Sequence, residues 1–223
     1  MRRARKKLNA ITTIIVAVAV AFAVTWLLAD DEARQDLVEI FIHEEETDGT
    51  QGRQIDWDAL PLDVIAWVEV PDTNIDEPVV QAMPEAPNAY LYEDALGQGA
   101  YGTPYIDCEC SLDSPFLMVY GHHMSDGSAF ADFARFIDEG YARDHTRIIV
   151  YERTGEIHNL DVVAVDVVNA SREKLKMPQV EEFNERIADC DLNLQNVIET
   201  DRLWGFATCS YQTWNSRTVV FAK

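Results

Sequence analysis

The C-terminal stretch Trp204–Lys223, WGFATCSYQTWNSRTVVFAK, narrows the possible folds more than any other part of the chain. Leu203–Thr208 is mostly apolar and reads as a strand, and Thr218–Ala222 is a short β-branched run that reads as another. Between Cys209 and Arg217 lies a seven-residue loop of polar and aromatic residues. A hairpin-like return sets Cys209, at the end of the first strand, beside Arg217, at the start of the second. Neighbouring strands lie about 4.8 Å apart, so a thiol and a guanidinium can share one site there. The thiolate is the nucleophilic form of cysteine, and a permanent cation favours negative charge close by.

The rest of the chain from Ile55 onward follows the same strand-rich pattern, with Pro and Gly as punctuation. Val64–Val70, Asn74–Gln81 and Thr103–Asp107 are the first strand candidates, with a turn at PDTN between the first two. Phe116–Gly121, FLMVYG, reads as a buried strand and is followed by the loop HHMSDGS. A short helix is expected next, with Phe130, Phe133, Phe136 and Ile137 on one side and Ser128 or Asp126 as its cap. Arg147–Glu152 and Glu156–Val168 form a hairpin around Thr154-Gly155, and Met177–Cys190 reads as a helix opening on a proline. Many short strands with a few inserted helices point to a mainly β fold, a closed or nearly closed barrel.

Ahead of this domain the pattern is different. Residues 1–7 carry five basic residues, and residues 8–29 carry no charge, a run about as long as the roughly 20 residues that cross a hydrocarbon core. The run stays bulky through Trp26, Leu27 and Leu28 and passes straight into Asp30, so a retained signal-anchor is expected rather than a cleaved signal peptide. The basic flank then stays cytoplasmic and everything after residue 29 lies outside the cell. Residues 30–46 read as a helix and residues 47–54 as a linker, leaving residues 55–223 as the main domain. Outside the span, 13 basic residues face 39 acidic ones, a net charge of −26. Such an acidic ectodomain excludes nucleic acid and anionic lipid as natural partners.

His122 and His123 end the apolar strand Phe116–Gly121 much as Cys209 ends its own. Alternation along the strand puts His122 on the side of Met118 and Tyr120 and turns His123 the other way. A histidine relays protons near neutral pH, a thiolate attacks carbonyl carbon, and an arginine stays protonated and can only stabilise charge. Histidine, cysteine and arginine, each at a strand end, therefore make a plausible cysteine transferase.

These residues also carry a family resemblance. The run TCSY with Arg217 eight residues after Cys209, together with Tyr120-Gly121-His122, resembles the sortases, the Gram-positive cysteine transpeptidases. WVEVPDTNIDEPVVQ, YGHHMSDGSAF and the helix inserted before the cysteine strand resemble class B in particular, over about residues 55–223. The resemblance implies an eight-stranded sortase barrel with N-terminal helices, Cys209 as nucleophile, His122 as general acid and base, and Arg217 as transition-state stabiliser. It implies a substrate groove lined by Tyr120, Ala207, Thr208 and Ser210. The implied partners are proteins with a C-terminal sorting signal, cut after its threonine, and an amine on a cell-wall precursor or a pilin lysine. The family's usual Thr-Leu-Ser/x-Thr-Cys is here Gly205-Phe206-Ala207-Thr208-Cys209, and loss of a hydroxyl at Ala207 bears on which sorting signal is preferred.

Two further readings compete. Cys108, Cys110, His122 and His123 offer the ligand types of a zinc site, but adjacent histidines on a strand point apart and the C-x-C spacing is tight for zinc, so neither metal nor cofactor is expected. The other is a membrane-anchored wall protein whose barrel binds without catalysing. His123, Cys108, Cys110 and Cys190 are read as structural, with a bridge from Cys108 or Cys110 to Cys190 open, and His43, His145 and His158 as surface residues.

Overall fold

The structure is a computed structural model, and it describes residues 42–45, 52–96, 102–170, 178–195, 197–210 and 215–223. The expected signal-anchor at residues 8–29 lies outside the described residues. Among the described residues no helix is long and apolar enough to cross a membrane. The chain divides into two compact units, Met1–Leu60 and Pro61–Lys223.

In the first unit, β1 (Ile42–Glu45) pairs antiparallel with β2 (Gly52–Ile55), Ile42 lying opposite Ile55. The expected helix through residue 46 and linker through residue 54 are therefore replaced at these positions by a hairpin. Acidic residues and helical spacing favour a helix locally, but a ladder of four residue pairs satisfies the same backbone groups. Residues 30–41 of that helix lie outside the described residues.

The second unit is mainly β. Its strands are β3 (Val64–Glu69), β4 (Asp76–Gln81), β5 (Tyr105–Ile106), β6 (Phe116–Gly121), β7 (Arg147–Glu152), β8 (Ile157–Asn169), β9 (Leu192–Asn193), β10 (Leu203–Ser210) and β11 (Ser216–Ala222). They run in the order β11-β10-β6-β5-β4-β3-β7-β8-β9, and a further β11–β8 pairing closes eight of them into a barrel. Closure depends on the length of β8, which spans 13 residues. Its first part, Ile157–Asp161, pairs with β7, and its remainder pairs with β11 from Val162 to Asn169. Closing the sheet leaves fewer edges for unwanted pairing.

β10 is apolar along nearly its whole length because both of its faces are covered. Trp204 and Phe206 stack on each other at 6.1 Å, and Phe206 meets Phe133 at 5.3 Å and Phe130 at 6.4 Å. The opposite face, at Gly205, is closed by Met118 and Phe116 of β6, and Phe116 in turn meets Phe183. β10 and β6 are parallel, so the chain between them must cross over, and that crossover holds the helices.

The helices are shorter than their sequence patterns suggest. The phenylalanine segment is a 3-10 helix, Ala131–Ile137, with Phe130 at its N-cap and no side-chain cap; Asp126 instead accepts from the Ser128 amide and hydroxyl. A separate helix α1 (Glu139–Asp144), unforeseen in the sequence, is capped by Asp138, whose Oδ1 accepts from the Tyr141 amide at 2.9 Å. The expected helix over residues 177–190 is a 3-10 turn, Val180–Glu182, running into α2 (Phe183–Ala188). Its start is set by a reciprocal cap between Gln179 and Glu182.

Candidate active site

Three neighbouring strands bring the expected catalytic residues to one end of the barrel. Cys209 and Arg217 are direct cross-strand partners in the β10–β11 ladder, as the hairpin reading requires. On the other edge of β10, the parallel ladder to β6 ends at Thr208↔Gly121. One step further, His122 follows Gly121 as Cys209 follows Thr208, so His122, Cys209 and Arg217 occupy one level on adjacent chains.

The histidine segment is held in place from several directions. Gly121 has no room for a side chain: a Cβ there would lie 2.4 Å from the Phe130 ring. The chain then turns through Gly127, at φ +89, and comes back, the Phe130 amide donating to the His122 carbonyl at 2.9 Å. Ala129 forms a bridge pair with His123, and its amide donates to the buried Glu77 carboxylate at 3.2 Å. The ring of His122 pairs through Nε2 with the Leu91 carbonyl at 2.6 Å, in the long connection between β4 and β5. With Nε2–H donating, Nδ1 of the neutral ring is the acceptor nitrogen. That connection is itself tied down where the Thr103 amide donates to the Tyr90 carbonyl at 2.9 Å.

The residues expected to line the groove divide by strand face. Tyr120, Ala207 and Val219 form one cross-strand row, and Ala207 alternates onto the same face as Cys209. Thr208 and Ser210 alternate to the other face, and Ala207, Thr208 and Ser210 are all closed to solvent. Thr208 lies opposite Thr218, and the Ser210 hydroxyl donates to Ser216 Oγ at 3.1 Å.

The structure adds Tyr105 and Asp107, which the sequence reading did not single out. Tyr105 is the cross-strand partner of Tyr120, their rings 5.4 Å apart. Burial, then the Asp107 carboxylate, push the Tyr105 hydroxyl up to about 12, while the Arg217 guanidinium pulls it back and the Cys209 thiol adds to the rise. The Tyr105 hydroxyl is thus within electrostatic reach of both residues. Burial and Asp107, which accepts a hydrogen bond from Tyr120, also raise the Tyr120 hydroxyl. Both phenols are therefore neutral hydrogen-bond donors at neutral pH. No periodic signal marks Tyr105 in the sequence, because β5 is only two residues long.

Arg217 is half-buried, its guanidinium donating to Asn215 Oδ1 at 3.3 Å and to the Ser216 carbonyl at 3.4 Å. All four cysteines are unbridged, which corrects the open possibility of a bond to Cys190. Cys190 instead exchanges contacts of 3.4 Å with Arg186, its thiol donating to the Arg186 carbonyl.

Among the described residues, the one cluster of three possible metal ligands is Glu152, Glu156 and His158, and it excludes the Cys108–Cys110–His122–His123 set. His158 is not the surface residue expected: its side chain is 12% exposed and pairs with Glu152 at 2.7 Å. Thr154 donates to the other Glu152 oxygen at 2.9 Å, so these groups clasp the β7–β8 turn. His145 is likewise only partly exposed, stacked on Tyr141 at 4.0 Å. Side-chain contacts of His43 lie outside the described residues.

No family model matches the chain. The chain is 25% identical over 165 residues to sortase B of Listeria monocytogenes, covering 69% of this chain. The match spans 65% of that relative's length. Sortase B of Clostridium perfringens has the same fold, with a TM-score of 0.63 and 26% identity over 72% of this chain and 93% of its own. Together these support a class B sortase. Sortase B from Bacillus anthracis, crystallised in complex with AAEK1, has a similar fold, with a TM-score of 0.68 at 20% identity over 88% of this chain and 98% of its own.

Proposed function

We propose that the chain is a membrane-anchored cysteine transpeptidase that joins sorting-signal proteins to an amine outside the cell. The observation that carries this reading is the register: Cys209 pairs with Arg217 on one side, and the strand on its other side runs directly into His122. The likeness to the class B sortases supplies the reaction class.

In this reading the Cys209 thiolate adds to the carbonyl carbon of the sorting signal's threonine. The tetrahedral oxyanion forms where Arg217 can donate to it, and such fixed donors contribute on the order of 3 kcal/mol each. The peptide C–N bond breaks as His122 protonates the departing amine, leaving a thioester on Cys209. The acceptor amine then adds to the thioester carbonyl, gives a proton to His122 and expels the thiolate. An amide has replaced an amide, and the enzyme is regenerated. Tyr120, beside Tyr105, lines the floor along which the sorting signal lies. The uncharged run at residues 8–29 holds the barrel at the outer face of the membrane, with the basic flank inside.

The test uses the full-length chain in detergent, a library of sorting peptides and a panel of amines, with products followed by mass. The expected result is a peptide cut after threonine and joined to an amine, with a thioester trapped on Cys209. Cys209→Ala should abolish both thioester and product while the melting temperature stays within about 4 °C of wild type, as a change of up to about 1 kcal/mol implies. Turnover by that variant would sink the assignment.

A further inference from the structure

We propose that His123 is a positioning residue for the nucleophile, holding Cys209 through its backbone carbonyl; this rests on the transpeptidase reading. Nδ1 of His123 lies 2.8 Å from the Cys209 carbonyl oxygen, across 86 residues of sequence. A carbonyl can only accept, so Nδ1–H donates.

The contact sits where the regular β6–β10 ladder ends. Ladder pairing between β6 and β10 ends at Gly121 and Thr208, one residue short of the nucleophile. On its other edge Cys209 lies opposite Arg217 as a non-hydrogen-bonded pair, its carbonyl pointing away from β11. Past the Gly121–Thr208 pair the Cys209 carbonyl still faces β6, and there the His123 ring takes the place of the next ladder donor. His123 is in turn fixed by its bridge to Ala129, whose amide is bound by Glu77. A continuous set of contacts thus runs from β4 through Glu77, Ala129 and His123 to the Cys209 peptide. If that peptide rotates, Sγ swings relative to His122 and Arg217, and displacements of about 1 Å can cost around 100-fold in rate.

The adjacent histidines accordingly divide the work. His122 is tied through Nε2 to Leu91 and is the proton carrier of the proposed reaction. His123 spends Nδ1 on an acceptor that has no proton to exchange.

The test compares wild type with His123→Asn, His123→Gln and His123→Phe in the full-length chain. Asparagine carries an amide N–H close to where Nδ1 stands; glutamine reaches instead toward the Nε2 position, and phenylalanine keeps the ring without a donor. His123→Gln and His123→Phe should lower kcat about tenfold with KM within about twofold, as the loss of one hydrogen bond and a small displacement imply. His123→Asn should stay within about threefold of wild type. With carbonyl-13C cysteine, the Cys209 resonance should move in the Gln and Phe variants and hold in Asn. Equal activity in all the variants, or an Asn variant as impaired as Gln with the same melting temperature, would overturn the proposal. Should wild type turn over no peptide at all, the transpeptidase reading falls by itself. The carbonyl resonance then decides: a shift in Gln and Phe with none in Asn upholds the tie, and an unmoved resonance in all three overturns it.

Discussion

At the scale of single residues, the site depends on which groups can carry charge. Arg217 remains protonated throughout, so its contribution is the geometry of its donors rather than a proton. Arg217→Lys keeps the charge but loses the planar fork, and kcat should fall about 100-fold or more with a smaller change in KM. Steady-state kinetics with a parallel melting curve check this, and a folded lysine variant with normal turnover would end the catalytic role of Arg217. The cysteines offer a second prediction. Burial pushes the Cys110 thiol up to about 11, and burial, only partly offset by Arg186, pushes Cys190 up to about 12. Raised values favour the neutral thiol at any pH below them, so both stay protonated and unreactive at pH 8. Iodoacetamide at that pH should label Cys209 well before Cys110 or Cys190 in the native chain. Mass mapping after a short pulse reads the order, and prompt labelling of Cys190 would contradict it.

At the scale of elements, the end of β6 is the most constrained point in the site. Gly121 closes the strand against the Phe130 ring, and the two residues that follow bind Leu91 and Cys209 through their rings. In Gly121→Ala the new methyl would meet ring carbons at 2.4 Å, so either Phe130 or the strand must move. Overpacking of this kind costs about 1–3 kcal/mol. Because the movement begins one residue before His122, activity should fall further than the loss of folded protein explains. Kinetics well below the melting temperature separate the two effects. An Ala variant with wild-type kcat would show that the close approach serves packing alone.

At the scale of the whole barrel, the active end rests on an aromatic core beneath it. Phe133 touches Phe130, Phe136 and Phe206, with the Phe130 and Phe206 rings at 4.9 Å and 5.3 Å. Phe133→Ala leaves a cavity at the junction of the 3-10 segment and β10, at a cost of about 3–5 kcal/mol. For a domain of this size each kcal/mol lowers the melting temperature by about 2–4 °C, so a drop of roughly 10 °C is expected. Cys209, at the far end of β10, keeps Arg217 as its cross-strand partner and the His123 contact to its carbonyl, so turnover at low temperature should survive. Scanning calorimetry and a cold assay check the pair of outcomes.

What the sequence determined by itself is local periodicity and the geometry that follows from it. The strands Phe116–Gly121 and Arg147–Glu152 are found at their sequence bounds, and the hairpin return does pair Cys209 with Arg217. Each follows from side-chain alternation and loop length, which are properties of neighbouring residues. Where the local pattern competed with pairing, it lost: Ile42–Glu45 joins a strand ladder although its surroundings read as helix, and α1 went unseen because its six residues are too few to show a period. Partners distant along the chain lay beyond such a reading altogether. Only the closed barrel decided that Tyr105 stands beside Tyr120 and that His158 is shut in with Glu152. The same is true of the two histidines, whose rings end on Leu91 and on the carbonyl of Cys209, 31 and 86 residues away. Strand order and register set those meetings, and neither is written in the spacing of residues along one strand.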